Sequence, residues 1–441
     1  MRPKPILLLL PLNIAILLLA SSYATAQAGT LDPNFGTGGI VLAPTGKTLA
    51  NSAAIQSDSK IVVAGTGLVN NPPEFADMLF RLNTDGTLDS SFGSGGVANA
   101  PGFGFFGLAI KSDGSIVTVG TESGGFQVVR FLSNGTLDPS FGNGGLTPFI
   151  VVGGPDGGQG APTSGSLVLL SNGDILVVEG SGNPSLMVRY TSAGQLDSSF
   201  GTGGMVNLQY ASPTQVAVQK NGKILVASGA SAILGFGLLS PAFPPSAQAG
   251  EITRYNSNGG VDTTFGAAGT VASVLSASAL VLQSDGKIVV AGAVTSKVNA
   301  PLTAGDIGFG IIRYNSNGVL DKTFGTGGVV ATDFGATATD SGAFALAIQS
   351  NGEIVAGGAA GITKAGTFTS FFGLSRYTSA GVLDAGFGTG GIVITPVNKT
   401  SSPASSLTAL AIQSDGKIVA SGISVFDFDF ENGYVLRYLS Q

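Results

Sequence analysis

An arginine and an aspartate stand eight residues apart six times along the chain, at Arg81/Asp89, Arg130/Asp138, Arg189/Asp197, Arg254/Asp262, Arg313/Asp321 and Arg376/Asp384. Arg437 near the C-terminus and Asp32 near the N-terminus supply a seventh of each. A guanidinium beside a carboxylate forms a charge-assisted hydrogen bond, and a free carboxylate serves as acid, base or metal ligand. Seven copies in equivalent slots argue for structure, because an active site needs each of its groups once. The chain contains no His and no Cys in 441 residues. That removes Ser-His-Asp triads, thiol nucleophiles and the usual zinc sites.

Chemistry specific to one place must therefore come from residues outside the repeated slots. The acids there are Glu74, Asp77, Glu122, Asp156, Glu251, Asp306, Asp333 and Asp340, together with Asp427, Asp429 and Glu431. A pair of them across a cleft would suit a polysaccharide hydrolase or lyase. Asp427, Asp429 and Glu431 alternate with Phe426, Phe428 and Phe430, so an extended chain would set carboxylates on one side and rings on the other. Such a strand edge is either simply solvated or a calcium site built from oxygen ligands; the spacing lacks an Asp-x-Asp-x-Asp-Gly loop. No other cofactor is expected. A second candidate surface is the stretch Ala230 to Gly250, where Phe236, Leu238 and Phe243 are unusually apolar for a connection. It either docks a partner or closes over the body as a lid.

The elements that position these residues follow from three motifs, each present seven times in a fixed order. They are Leu-Asp-x-x-Phe-Gly, with Val261 as the one variant for Leu; a turn such as Asp285-Gly286-Lys287-Ile288; and Arg followed by an aromatic residue or Leu. Four short strands per repeat are expected. Strand A is an apolar run such as Leu346 to Ile348, and strand B is one such as Ile288 to Ala291. Strand C ends in Arg313-Tyr314, and strand D carries Leu320-Asp321 through Val330. A and B are apolar on both faces, as in sheets stacked face to face. The constant spacing of Ile110 and Ile116 predicts a three-residue A to B turn, Ser112-Asp113-Gly114, with glycine left-handed. The same reasoning gives Ser192-Ala193-Gly194 for the C to D turn. These two turns lie on one face of a four-stranded meander. The B to C and D to A connections, whose lengths vary, lie on the other.

The expected fold is all-β: a seven-bladed β-propeller of four-stranded antiparallel blades. The ring is closed by the N-terminal strand completing the last blade, which leaves no open edge. An open solenoid would need atypical capping repeats at its ends, and none is visible. The eight-residue spacing sets each Arg opposite its Asp across the C to D turn, with Arg437 meeting Asp32 at the closure. An exposed pair is worth only ~0.2–1 kcal/mol, so such pairs would mainly hold register. Each Asp is equally able to accept from its own turn amides.

Arg2 and Lys4, the apolar run Ile6 to Ala20 and small residues ending in Ala24-Thr25-Ala26 read as a secretory signal peptide over 1–26. Residues 27–441 would then form one exported domain, extracellular or periplasmic and monomeric, with no membrane span. Loss of Arg2 and Lys4 from the 20 basic residues leaves 18 against 26 acidic ones, a balance that argues against nucleic acid as partner.

The runs Leu320 to Gly328, Gln283 to Gly292 and Arg313 to Asn315 together resemble the bacterial delta-60 repeat family. The likeness covers 27–441 and implies an exported repeat protein with no catalytic residues to transfer. The expected function is a secreted, non-enzymatic binding or scaffolding module. Its variable-loop face would contact a protein, a glycan or a surface; the alternative is the carboxylate-based hydrolase or lyase.

Overall fold

The computed structural model describes residues 27–44, 48–69, 74–100, 104–122, 124–152, 165–180, 185–208, 213–229, 250–295, 307–335, 341–364, 367–397, 404–426 and 430–441. Residues 1–26, read from the sequence as a signal peptide, lie outside them. Seven four-stranded antiparallel sheets hold all the strands of these residues. In the second blade the strands run outward as Phe105–Ile110, Ile116–Glu122, Gly125–Phe131 and Ile150–Val151. Each inner strand contacts the inner strand of the next blade, and that of the seventh, Ala404–Ile412, contacts that of the first, Thr48–Ile55. The result is a seven-bladed β-propeller. Its core is seven apolar clusters, each between two neighbouring blades, such as Val117, Val119 and Phe126 of the second blade with Ile175, Val177 and Tyr190 of the third. Strands apolar on both sides are required because both sides of every sheet are covered: Ile175–Glu179 is buried at all five positions.

The ring closes by sharing one sheet between the chain ends. Ile40–Leu42 is the outermost strand of the seventh blade, with Ile40 opposite Leu436, Val41 opposite Val435 and Leu42 opposite Tyr434. Asp32 donates its amide to the Arg437 carbonyl at 2.8 Å, and Leu439 donates to Thr30 at 2.9 Å. Joining first and last segments removes the two edges that an open ring would expose.

The A to B turn has the expected three-residue geometry: Lys111 N donates to Ser115 O, and Gly114 N to Lys111 O, with Gly114 at φ 84°. Ser59 occupies the glycine position of the first blade and is held at φ 66°. A left-handed side chain costs roughly 1 kcal/mol or more, while glycine adds back some unfolded-chain entropy. Ser59→Gly is therefore expected to raise stability by about 0.5–1 kcal/mol. Equilibrium denaturant unfolding checks it; an unchanged or lower midpoint would mean that the serine side chain compensates for its backbone.

Two features differ from the sequence-based expectation. Leu320-Asp321 is not part of strand D, which spans only Val329–Thr332. Leu383-Asp384 likewise lies outside its strand D, Ile392–Thr395. The segment between them is a compact turn, in which Phe324 N donates to Asp321 O and Gly328 N to Phe324 O. The Asp321 carboxylate caps it by accepting from Thr323 N at 3.1 Å, a local bond that competes with ladder pairing. The second feature is a bulge in the inner strand, seen between Ala50 and Ser52 and again between Ala343 and Ala345. It pushes a carbonyl toward strand B, so that a Cβ on Gly65 would lie 1.7 Å from Leu49 O. The glycine that follows the Val-Val-Ala run answers this close approach. In the third blade Glu179 takes that slot, and Gly165 to Leu169 pair without a bulge.

Part of the length variation is strand rather than loop. In the sixth blade Ile354–Lys364 and Thr367–Tyr377 pair as far as Lys364 and Thr367, whereas in the third the equivalent ladder stops at Glu179 and Leu186. The variable face thus carries protruding hairpins.

Candidate functional site

On the constant side each strand C arginine sits at the centre of an ionic cluster. Its Nε donates to the partner aspartate Oδ2 at 2.7 Å in Arg81, Arg130, Arg189 and Arg254, at 2.8 Å in Arg313 and Arg376, and at 2.9 Å for Arg437 and Asp32. The other oxygen, Oδ1, accepts from the amide two residues on, as Ser140 does to Asp138 at 2.9 Å. Ion pair and turn cap therefore coexist, one on each carboxylate oxygen. The guanidinium also lies over the Phe of the following turn, as Arg130 does over Phe141 at 4.4 Å.

The cluster also grips the next blade. Arg130 Nη1 donates to Ser192 O at 2.8 Å, and Gly142 N donates to Ala193 O at 2.9 Å. Arg437 closes the circle on Thr84 O of the first blade. The arginine and aspartate side chains of the 130/138 pair are each 9% exposed. The exposed-pair energetics expected from sequence do not apply, because neighbouring blades remove the pairs from solvent.

The seven aspartates share one bonding slot but differ in exposure, most at Asp384. Asp32, Asp89, Asp138, Asp262 and Asp321 are buried, but the Asp384 side chain is 21% exposed; Asp197 is also only partly covered. Two neighbours account for Asp384. Five copies have Ser or Thr two residues on, whose hydroxyl adds a second bond to Oδ1, as Ser140 and Thr323 do. Gly386 stands there instead, so Asp384 Oδ1 accepts from the Gly386 amide, at 3.0 Å, with no hydroxyl beside it. The turn lysine that reaches the aspartate in four blades, as Lys287 reaches Asp321, is replaced by Glu353. Glu353 approaches Arg376 Nη1 at 3.3 Å, so one guanidinium serves two carboxylates. The Arg376–Asp384 pair is thus formed, in a wetter and more acidic setting than the others.

Lys223 donates to Asp262, and with Thr264 and the nearby Arg254 it holds that carboxyl well below its usual range. Burial pushes Asp89 and Asp321 upward, but their partners outweigh it and both end well below the usual range. A depressed carboxyl contributes stability above its unfolded value of about 3.9, lost as pH falls through the folded value. At the alkaline end, burial pushes Tyr314 and Tyr377 up to about 12. That contribution is full below about 10 and is lost as pH rises through the folded value. A melting temperature flat from about pH 5 to 9, falling below about 4, is expected; a steep fall between pH 7 and 5 in a thermal scan would contradict it.

A second stitch joins strand C to the preceding blade. Tyr377 and Thr332 share a hydroxyl–hydroxyl bond at 2.5 Å, and Tyr438 and Thr395 one at 2.8 Å. Where strand C has Leu82 or Phe131 instead, the facing residue is Ala43 or Ala100, in the same apolar cluster. At these four interfaces a polar pair or an apolar pair stands as a unit, whereas Tyr255 shares an apolar cluster with Leu208. Tyr377→Phe is expected to cost about 1–3 kcal/mol by orphaning the Thr332 hydroxyl. Adding Thr332→Ala is expected to recover part of that in denaturant unfolding; equal or greater loss in the double variant would count against the pairing.

Of the candidate binding residues, Phe236, Leu238, Phe243, Asp427 and Asp429 lie outside the described residues. Glu431 is the second residue of the third strand of the seventh blade, Phe430–Tyr438. Phe426 is the register partner of Phe430, so the chain reverses between them. Glu74 and Glu122 stand at hairpin ends, opposite Val69 and Gly125. Asp333 caps its own turn by accepting from Gly335 N at 2.8 Å. Among the described residues no three acids gather where a metal ion would fit.

Sequence reasoning missed the central channel. All seven inner strands line a cavity of about 320 Å³, through residues that include Ser52, Ser166, Gln215, Ala279, Ala345 and Ala409. These six occupy one equivalent position, the fifth before the three-residue A to B turn. In the first, fourth, sixth and seventh blades the residue before it is the bulge position, and three of these tie the blades together. Asn51 donates to Phe105 O at 2.9 Å, Thr214 to Ala277 O at 2.6 Å and Thr408 to Ala50 O at 2.6 Å. Aligning the repeats on the turn would have shown polar residues in an otherwise apolar strand. Which side of the strand faced a channel could not be known before the ring was built.

Three segments, residues 56–92, 111–141 and 283–324, match the family model described as domain of unknown function (DUF5122) beta-propeller. The chain is a β-propeller repeat protein. Each matched segment starts at the A to B turn and takes in the strand C arginine and its aspartate, so the matched pattern of the propeller is its interblade cluster. No curated protein is significantly similar to it. Among solved structures, a catalytically inactive virginiamycin B lyase from Staphylococcus aureus with quinupristin is 13% identical, covering 90% of this chain and 98% of that one at a TM-score of 0.49. Sqt1 from Chaetomium thermophilum, bound to the N-terminus of ribosomal protein L10, is 11% identical over 90% and 98% at 0.47. A gluconolactonase from Xanthomonas campestris is 10% identical over 90% and 100% at 0.37.

Proposed function

We propose that this propeller is an exported binding or scaffolding module whose ligand, a protein, glycan or surface, meets the variable face. The supporting observation is that the repeated ionic groups of the constant side are engaged inside the ring: each Arg–Asp–Phe cluster faces its own turn and the next blade. That side also repeats one pattern seven times and so offers little to tell ligands apart. Loops on a rigid scaffold are the usual seat of recognition, and here they differ from blade to blade. The repeats are assigned to the delta-60 family on the motifs quoted above.

The test is a glycan array beside a pull-down from the exported fraction of the producing cell, followed by variants. Phe236→Ala and Asp427→Ala are expected to weaken binding, while Lys322→Ala, exposed on the constant side, leaves it unchanged. Lys223 and Lys287 are unsuitable controls because they pair with Asp262 and Asp321. Loss of binding in Lys322→Ala with both loop variants unaffected would sink the reading. Turnover of a bound polysaccharide would support the hydrolase or lyase instead.

A further inference from the structure

We propose that the central channel binds a single uncharged sugar or polyol ring. This rests on the reading of the propeller as a binding module, and it names a ligand class for one part of it. The lining position divides the channel into two arcs. Blades one, three and four contribute Ser52, Ser166 and Gln215; blades five, six and seven contribute Ala279, Ala345 and Ala409. Asn51, Thr214 and Thr408, one residue earlier, bond to the backbone of the next blade, and so hold the ring. Ser52, Ser166 and Gln215 are left facing the channel, without a side-chain partner among the described residues.

The apolar arc carries one ring. Phe344 lines the channel, and its tip lies against Gly342, where a Cβ would sit 2.9 Å from Cζ. Gly342 begins the inner strand of the sixth blade, so this ring stands toward the variable face. No lining residue is ionisable. A charged ligand would lose its hydration there without a counter-charge. A pyranose or cyclic polyol has what the two arcs ask for: a C–H face to lie on Phe344 and the alanines, and an edge of hydroxyls for Gln215 and the serines. About 320 Å³ is near the lower end of ligand sites, roughly 300–1,000 Å³. It suits one ring rather than a chain.

The experiment is saturation-transfer NMR and calorimetry on the full chain. The probes are glucose, galactose, mannose, N-acetylglucosamine and myo-inositol, with glucosamine and glucuronate as charged counterparts. At least one neutral probe is expected to bind at millimolar concentration or below, with its charged relative at least about tenfold weaker. Gln215→Leu and Phe344→Ala are each expected to weaken that binding about tenfold, with Lys322→Ala unchanged; Ser52→Ala substitutes for either variant if its melting curve shows it unfolded. Absence of binding by every neutral probe, or binding unmoved by the channel variants, overturns the proposal. Binding that is lost in Phe236→Ala and Asp427→Ala but kept in the channel variants overturns it too, while leaving the variable-face reading in place.

Discussion

A chain beginning at Ala43, without the clasp segment 27–42, is expected to lose at least about 5 kcal/mol, a large share of the 5–15 kcal/mol typical of a folded domain. Three losses combine. The ladder of Ile40–Leu42 against the seventh blade goes, and with it the bonds from Gly29 and Asp32 to Leu439 and Arg437. Phe35, fully buried beneath the Arg437 guanidinium at 4.5 Å, is removed; emptying such a site costs about 3–5 kcal/mol. Arg437 is left buried without Asp32, its partner at 2.9 Å. The new edge at the seventh blade is unpaired and apolar, so the shortened chain is expected to associate. Thermal unfolding and size-exclusion chromatography measure both effects. A synthetic peptide of residues 27–44 is expected to restore the melting temperature. A shortened chain that melts within a few degrees of the parent, as a monomer, would show that the ring holds without its clasp.

Arg130→Met is expected to cost about 3–5 kcal/mol, the usual penalty for breaking a buried ion pair. Removing the guanidinium leaves the Asp138 carboxylate buried with only the Ser140 amide and hydroxyl at Oδ1. It also removes the donor to Ser192 O of the third blade. Asp138→Leu alone leaves the opposite charge stranded. The double variant is expected to fall well short of the sum, because a well-packed apolar pair often matches a buried ionic one. Urea unfolding of the four proteins gives the coupling, expected to exceed about 1 kcal/mol. Additive losses would mean that Arg130 and Asp138 contribute separately and that their pairing carries no energy of its own.

Much of the fold was legible because the repeat states the same instruction seven times. Three-residue turns follow from the distance between Ile110 and Ile116. The partnership of Arg130 with Asp138 follows from a spacing of eight across such a turn, and the clasp from the phase in which the chain enters and leaves the repeat. All are local relations, set by strand period and turn length. Other features depend on what lies across a blade interface, which no spacing within one repeat contains. The Leu-Asp-x-x-Phe-Gly segment reads as strand, yet Asp321 caps a turn whose amide Gly325 N reaches Ala380 O of the next blade. The ion pairs read as surface pairs, and stacking of the neighbouring blade buries most of them. Asp384 shows the limit of the repeat as a guide: its spacing matches the other copies, while Gly386 and Glu353 leave it less covered.

The candidate site divides the same way. Sequence alone determined that histidine and cysteine chemistry is absent and that length varies on one face only. It suggested an extended acidic run at Asp427 to Glu431, of which Asp427 and Asp429 lie outside the described residues. Only the tertiary structure brings Ser52, Ser166 and Gln215, from three separate repeats, to one arc of a channel opposite Phe344. The physical reason is that ring closure, rather than any local preference, decides which side of seven inner strands faces the axis. A serine in an apolar strand carries no mark of that until the seventh blade meets the first.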